Sequence, residues 1–181
     1  EFRDIFKEKL DLHHIPALSN VLYSEDILFP IADFYLKKER WNEAIEVYEE
    51  METIGALQGR GAEYYQKLGY ALQKNKKYAE AIDAYLKADT LKPDNIWNNR
   101  HLAICYRLNR NYQAALSYYK KVEEATPEDT NVIFHIGSCL AELGQYEEAA
   151  NYFFKLDFIE SNCIKAWRGI GWCSFISRKY E

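Results

Sequence analysis

Histidine and cysteine are the side chains of this sequence best suited to chemistry, and they recur at a fixed interval. His101 and His135 are 34 residues apart, and the same interval separates Cys105, Cys139 and Cys173. Imidazole and thiolate are common metal ligands, and imidazole is the usual acid or base near neutral pH. The sequence has no Cys-x-x-Cys pair, however, and no carboxylate in register with the histidines. This pattern favours a surface or groove role for the histidines and a packing role for the cysteines over a metal site.

Catalytic motifs are absent from the sequence. It contains no glycine-rich phosphate loop, no nucleophile elbow and no His-Glu-x-x-His pattern. Adjacent carboxylates, such as Glu49 with Glu50 and Glu147 with Glu148, fall on the solvent side of predicted helices. We therefore predict a protein that is not an enzyme and that uses no metal and no cofactor.

The 34-residue interval reflects a helical unit, which is clearest at residues 62–95. Leu68 and Leu72 are four residues apart and therefore share one face of a first helix. A polar break follows, and Tyr78 begins a second amphipathic helix. Pro93 ends that helix, because proline lacks an N–H donor and disfavours helical geometry in the residue before it. The unit is a hairpin of two helices.

The same unit recurs along the chain. The pair Leu68-Gly69 returns as Leu102-Ala103, Ile136-Gly137 and Ile170-Gly171. A small residue at the second place lets another helix approach closely, and a fixed period of this kind marks a stacked array.

This pattern resembles the tetratricopeptide repeat family. The resemblance covers Glu25 to Glu181 and implies an all-α fold, a right-handed superhelical solenoid of antiparallel helix hairpins. The predicted units are an N-terminal helical segment or cap at 1–24, repeats near 25–58, 62–95, 96–129 and 130–163, and a half repeat at 164–181.

The last repeat is incomplete in this sequence. Residues 178–181 match the start of the second helix in earlier repeats, so we expect a fragment of a longer array. The first residue is Glu rather than Met, which suggests that the natural N-terminus lies upstream. Half a repeat leaves an apolar face without its partner helix, and we expect either self-association through this truncated unit or a disordered end.

Composition narrows the range of partners. The formal net charge of −5 over 181 residues argues against a general affinity for nucleic acid or anionic membranes. No apolar run reaches the roughly 18 residues of a membrane span, and no signal peptide is visible. Cysteine usage fits a reducing compartment. We expect a cytoplasmic protein that binds other proteins, with no nucleic acid and no membrane span.

The family resemblance also implies a binding surface. In the family, the first helix of each repeat lines a concave groove, and its second, fifth, ninth, twelfth and thirteenth residues point into it. Read onto this chain, these positions become basic and aromatic towards the C-terminal end. The predicted peptide-binding residues are Trp97, Arg100, Ile104, Arg107, Phe134, Lys165, Arg168 and Trp172. We expect the cations to hold an acidic peptide and the aromatic rings to take its apolar side chains.

Alternatives to this scaffold remain open. In the first alternative, the groove aromatics pack on neighbouring helices and the charged side chains only solvate this face. An assembly or secretion chaperone would hold an extended client segment in the same groove, and an enzyme would need a catalytic domain outside this sequence. The carboxylate clamp of some family members is not matched, because Gln66 and Tyr70, or Arg100 and Ile104, occupy its first two places. Lys165 matches one later place, but Gly169 stands where the clamp arginine belongs.

Overall fold

The computed structural model describes residues 25–53, 55 and 59–180. The predicted N-terminal segment 1–24 lies outside this part of the chain. The described residues form helices and no strand, which confirms the predicted all-α class. The helices are α1 (Glu25–Lys37), α2 (Trp41–Thr53), α3 (Gly61–Lys74), α4 (Tyr78–Leu91), α5 (Ile96–Leu108), α6 (Tyr112–Ala125), α7 (Thr130–Glu142), α8 (Tyr146–Ile159) and α9 (Ile164–Tyr180).

The helices stack as consecutive antiparallel hairpins. Each helix packs on the next one in the chain, and the first helices α3 and α5, and α7 and α9, also touch each other. Small and apolar side chains fill the seams, so the buried core runs along the stack. This is the architecture of a solenoid in which each unit is stabilised by its neighbours.

A left-handed backbone residue ends the first helix of each complete hairpin. These residues are Glu39, Lys76, Arg110 and Gly144, with φ of 57°, 64°, 62° and 77°. The residue after each turn then donates a backbone hydrogen bond into the last turn of the first helix, as Lys77 N–H does to the Leu72 carbonyl at 2.9 Å. This geometry folds the second helix back onto the first.

Close helix contacts occur where the sequence places glycine. A Cβ added at Gly69 would lie 2.9 Å from the Tyr85 ring, and one added at Gly137 would lie 2.9 Å from the Phe153 ring. Both rings come from the second helix of the same hairpin. The predicted close approach at Gly69 is therefore confirmed.

The final helix departs from the expected pattern. The sequence predicts a new helix beginning near residues 178–181, but α9 continues without a break to Tyr180. In the complete hairpins the second helix packs back on the first and holds the turn. Among the described residues no second helix follows α9, so nothing favours a turn over continued helix.

We define the outer face of α9 by Trp167, Gly171, Ser174 and Phe175. Within the described residues, this face lacks the cover that earlier first helices have. Trp167 is 58% exposed, whereas Ile133, at the same place one repeat earlier, is fully buried. A Cβ at Gly171 would meet nothing within 4 Å. A shallow hollow there is lined by Gly171, Ser174, Phe175 and Arg178.

Candidate functional site

The predicted peptide-binding residues all lie on the first helices of the C-terminal half. We call their shared surface the groove face. Helix α5 carries Trp97, Arg100, Ile104 and Arg107, α7 carries Phe134, and α9 carries Lys165, Arg168 and Trp172. The contacts of each residue show what it can offer to a ligand.

Trp97 belongs to an aromatic cluster between α3 and α5. Its ring lies 4.0 Å from the His101 ring and 6.3 Å from the Tyr70 ring, measured between centroids. It also meets Tyr85 edge-on. Trp97 is nevertheless 42% exposed, so it packs on neighbouring helices and presents its remaining surface to solvent. A ring held on one side and open on the other is suited to contact with an apolar side chain of a ligand.

Arg100 is already paired within the chain. Its guanidinium donates to the Asp129 carboxylate at 2.8 Å. Asp129 is also the N-cap of α7, where it accepts from the backbone N–H groups of Asn131 and Val132. Partial burial would raise the pKa of Asp129, but the Arg100 and backbone hydrogen bonds lower it. Arg100 therefore ties α5 to the start of α7, and Asp129 offsets its charge.

Ile104 and Phe134 are half-buried and pack against the core. Phe134 lies 5.4 Å from the His135 ring and 6.0 Å from the Phe153 ring, measured between centroids. The Lys165 ammonium stands 5.9 Å above the Phe134 ring, a cation–π distance that links α9 to α7. The structure thus brings Phe134 and Lys165 together.

Arg107 lies beside two side chains that the groove prediction did not include, Tyr119 and His135. The rings of Tyr119 and His135 are stacked, with centroids 5.5 Å apart and an angle of 25°. Burial raises the pKa of Tyr119 to about 12, and the Arg107 guanidinium opposes this rise. Three buried atoms, Arg107 Nε, the Tyr119 hydroxyl and His135 Nδ1, have no hydrogen-bond partner among the described residues.

The two histidines are held in the seams between helices. His101 stacks on Tyr85 as His135 stacks on Tyr119. Burial lowers the pKa of each to about 4, and nearby cations act in the same direction: Lys74 and Arg100 at His101, Arg107 and Lys165 at His135. Asp129 opposes this lowering at His135. Both rings are therefore neutral at physiological pH. Each is half-buried between helices and not fully exposed at the surface.

Helix α9 supplies the accessible cations of the groove face. The segment Ile164–Tyr180 contains basic residues and no acidic one. Lys165 and Arg168 are exposed, and neither forms an ion pair with another described residue. Trp172, on the same helix, is 57% exposed. This end of the groove face joins positive charge with an open aromatic surface.

The groove face is not joined along its whole length by direct contacts. Among the described residues no ring contact links Trp97 to Phe134 or Trp172. Sequence reasoning did not single out Tyr119, which is buried against His135, because it lies on a second helix that the repeat pattern assigns to packing. The 34-residue spacing of the histidines was the available signal, since each one marks a seam that also holds a tyrosine.

The described part of the chain has neither a grouping of metal ligands nor a membrane-spanning helix. No group of three or more His, Cys, Asp or Glu side chains there is arranged to hold a metal ion. None of the described helices has both the length and the apolar character needed to cross a membrane. Cys105, Cys139, Cys163 and Cys173 are buried as free thiols.

The fold and the groove face define a helical-repeat protein. Models of the tetratricopeptide repeat match residues 28–59, 62–95 and 107–170, and together they cover most of the chain. The chain belongs to the tetratricopeptide repeat family, whose repeat is typically a non-catalytic scaffold for protein interaction.

Several solved structures share this fold. MamA from Desulfovibrio magneticus RS-1 is 18% identical, with coverage of 84% of this chain and 85% of that chain and a TM-score of 0.76. MamA of MSR-1 is 26% identical, with coverage of 86% and 85% and a TM-score of 0.71. YrrB, described as a TPR protein with an unusual peptide-binding site, is 20% identical, with coverage of 91% and 86% and a TM-score of 0.75. Comparison with curated protein sequences gives no match.

Proposed function

We propose that this protein is an interaction scaffold whose groove face binds an acidic segment of a partner protein. The observation that carries the proposal is the surface of α9, where Lys165 and Arg168 have no ion-pair partner among the described residues and Trp172 is exposed. Exposed tryptophan and arginine together are enriched at binding hot spots. The repeat family and the peptide-binding site described for the similarly folded YrrB support a peptide as the ligand class.

Charge supports an acidic ligand. The chain carries a formal net charge of −5, yet α9 contains basic residues and no acidic one. A local positive surface on an acidic protein attracts acidic segments and disfavours basic ones, which gives selectivity and faster association. Arg100 contributes less to this surface, because Asp129 already neutralises it.

Trp97 and Trp172 would receive the apolar side chains of the ligand. Trp97 is positioned by its packing on His101 and Tyr70, so little side-chain entropy is lost when a ligand covers its open side. Truncating either ring to alanine should therefore weaken binding without unfolding the array.

Selection from a random short-peptide library displayed on phage tests the proposal. The immobilised protein should enrich Asp and Glu together with apolar residues. The variant Lys165→Glu/Arg168→Glu should lose this enrichment. Lys76→Glu/Lys92→Glu is the matched control, because it changes the charge equally at exposed sites away from the groove face and should keep the enrichment.

Other outcomes would overturn the proposal. Equal enrichment by both double variants would place recognition outside the groove face. Enrichment of apolar residues without acidic ones would favour a chaperone that holds extended client segments. Absence of any enrichment would remove peptide binding as the function.

We also propose that the outer face of α9 associates with a second copy of the chain. Ile164, Trp167 and Phe175 are 74%, 58% and 62% exposed on this helix. The groove face of α9 carries Lys165 and Arg168, so the outer face is the apolar side of this helix. Sedimentation equilibrium should show dimers that Trp167→Glu converts to monomers, and a monomer at all concentrations would contradict the proposal.

A further inference from the structure

Three side chains form a closed hydrogen-bonded unit between α3, α4 and α5. We call Gln73, Tyr85 and His101 the first seam. The Tyr85 hydroxyl donates to Gln73 Oε1 at 3.0 Å, and His101 Nδ1 lies 2.8 Å from the same oxygen. Because that oxygen only accepts, His101 carries its proton on Nδ1. One acceptor thus satisfies two buried donors.

The next repeat preserves the rings but changes the acceptor. Moving each place by 34 residues gives Arg107, Tyr119 and His135, which we call the middle seam. The His–Tyr stack is nearly the same in both seams, with centroids 5.7 Å and 5.5 Å apart and angles of 27° and 25°. Arginine has five N–H donors and no acceptor, so it cannot replace the glutamine oxygen.

The middle seam therefore lacks the shared acceptor that Gln73 supplies in the first seam. Arg107 Nε, the Tyr119 hydroxyl and His135 Nδ1 are each buried and have no hydrogen-bond partner in the described ranges. The Arg107 guanidinium is near enough to the Tyr119 hydroxyl to lower the pKa of Tyr119. A buried polar group left unpaired in this way destabilises the fold, so a ligand that pairs with it gains affinity.

The last seam has no polar side-chain atoms that could be left unpaired, unlike the middle seam. Its residues are Ala141, Phe153 and Gly169, which have no polar side-chain atoms. The three seams are thus closed, open and apolar in turn. Arg107 and His135 are half-buried rather than fully enclosed, so a ligand can reach the middle seam from the groove face when the Arg107 side chain moves outwards.

We propose that the middle seam is a carboxylate-recognition site, in which one ligand oxygen accepts from Tyr119 and His135 while Arg107 pairs with its charge. The ligand oxygen takes the place that Gln73 Oε1 holds in the first seam. This inference rests on the proposed function, since the carboxylate belongs to the bound acidic segment. His135 lies one repeat before Gly169, at the place of the clamp arginine. The site still differs from the clamp, because Arg107 and Tyr119 lie outside the clamp places.

The charges around His135 fit an anion. Arg107 and Lys165 both disfavour a proton on this ring, and Asp129 favours one. The Tyr119 ring stacks on one side and Phe134 meets the other edge-on. A carboxylate placed among these groups would compensate both cations, and it would raise the pKa of His135.

Imidazole NMR of the folded protein tests the site, with His101 as the internal control. The probe is N-acetyl-glutamate α-amide, which carries one side-chain carboxylate, in a buffer free of carboxylate and phosphate. The His135 ring resonances should shift and saturate, and the pKa of His135 should rise. The His101 resonances should stay in place, because Gln73 already closes the first seam. N-acetyl-glutamine α-amide, the neutral isostere, should move neither ring.

Variants at the position that differs between the seams sharpen the test. Arg107→Gln should close the middle seam, abolish the His135 response and raise the melting temperature. Gln73→Arg should open the first seam and make His101 respond. N-acetyl-alanine, with only a terminal carboxylate, shows whether a chain terminus is accepted as well as a side chain.

The site is overturned if His135 does not respond, if the amide isostere shifts it equally, or if its response survives Arg107→Gln. The proposed function is judged separately by the indole resonances of Trp97 and Trp172 with library-selected peptides. Indole shifts with a silent His135 would overturn the carboxylate site and leave groove binding intact. Silence of both would overturn the two together.

Discussion

Gly169 and Gly171 lie two residues apart on α9, and substitution by alanine should change the stability of the fold in opposite directions at the two positions. A Cβ at Gly169 would lie 2.6 Å from Cδ2 and Cε2 of Phe153. A Cβ at Gly171 would meet nothing within 4 Å. The Phe153 ring has little room to move away, because Gly137 of α7 lies against its other edge. A Cβ added at Gly137 would be only 2.9 Å from the ring.

The size of the stability difference follows from two free-energy contributions, helix propensity and overpacking. Replacing glycine by alanine within a helix gains about 1 kcal/mol in helix propensity, and this gain is common to both variants. Overpacking against a confined ring costs roughly 1–3 kcal/mol and applies only to Gly169→Ala. Gly171→Ala should therefore be stabilising by up to about 1 kcal/mol, and Gly169→Ala should be roughly 1–3 kcal/mol less stable than Gly171→Ala.

Thermal unfolding followed by far-UV circular dichroism measures this difference. For a chain of this size it should separate the two melting temperatures by about 2–12 °C. Since α9 packs mainly on α8, amide hydrogen exchange should show faster local opening of α9 in Gly169→Ala. In a Phe153→Leu background the penalty at Gly169 should shrink. Equal stabilisation by both alanines would refute the packing of Gly169 on Phe153.

Further predictions concern the histidines, the turns and the thiols. The folded pKa of about 4 at His101 and His135 lies below the ordinary value of 6.5. Stability should thus be full above pH 6.5 and fall as the pH drops towards 4, by about 2 kcal/mol per histidine at pH near 5, in urea titrations at each pH. Lys76→Gly and Arg110→Gly should each stabilise by about 1 kcal/mol in the same assay, because both residues have left-handed backbones. The four buried cysteines should react with a thiol reagent only as fast as the chain unfolds.

Much of the fold could be predicted from the sequence, because it depends on local periodicity. The spacing of Leu68 and Leu72, the small residue at Gly69 and the break before Tyr78 each describe one hairpin, and the 34-residue repeat extends it along the chain. The end of α9 was predicted wrongly, because the turn there depends on a second helix packing back rather than on local sequence.

The candidate site was less accessible to sequence reasoning. The pairing of Arg100 with Asp129 joins residues 29 positions apart, and no other repeat has this pair to reveal it. The open donors around Tyr119 and His135 become visible only when the seam is compared with its closed equivalent. In both cases the relevant property is what a side chain meets across helices, which periodicity does not encode.

The four tryptophans of the chain allow the most direct test of groove binding. A library-selected acidic peptide is titrated into protein labelled at the indole nitrogen. We predict that the Trp97 and Trp172 indole resonances shift and saturate together, while Trp167, on the outer face of α9, stays unchanged. Shifts confined to Trp167, or binding that leaves all indoles in place, would contradict recognition by the groove face.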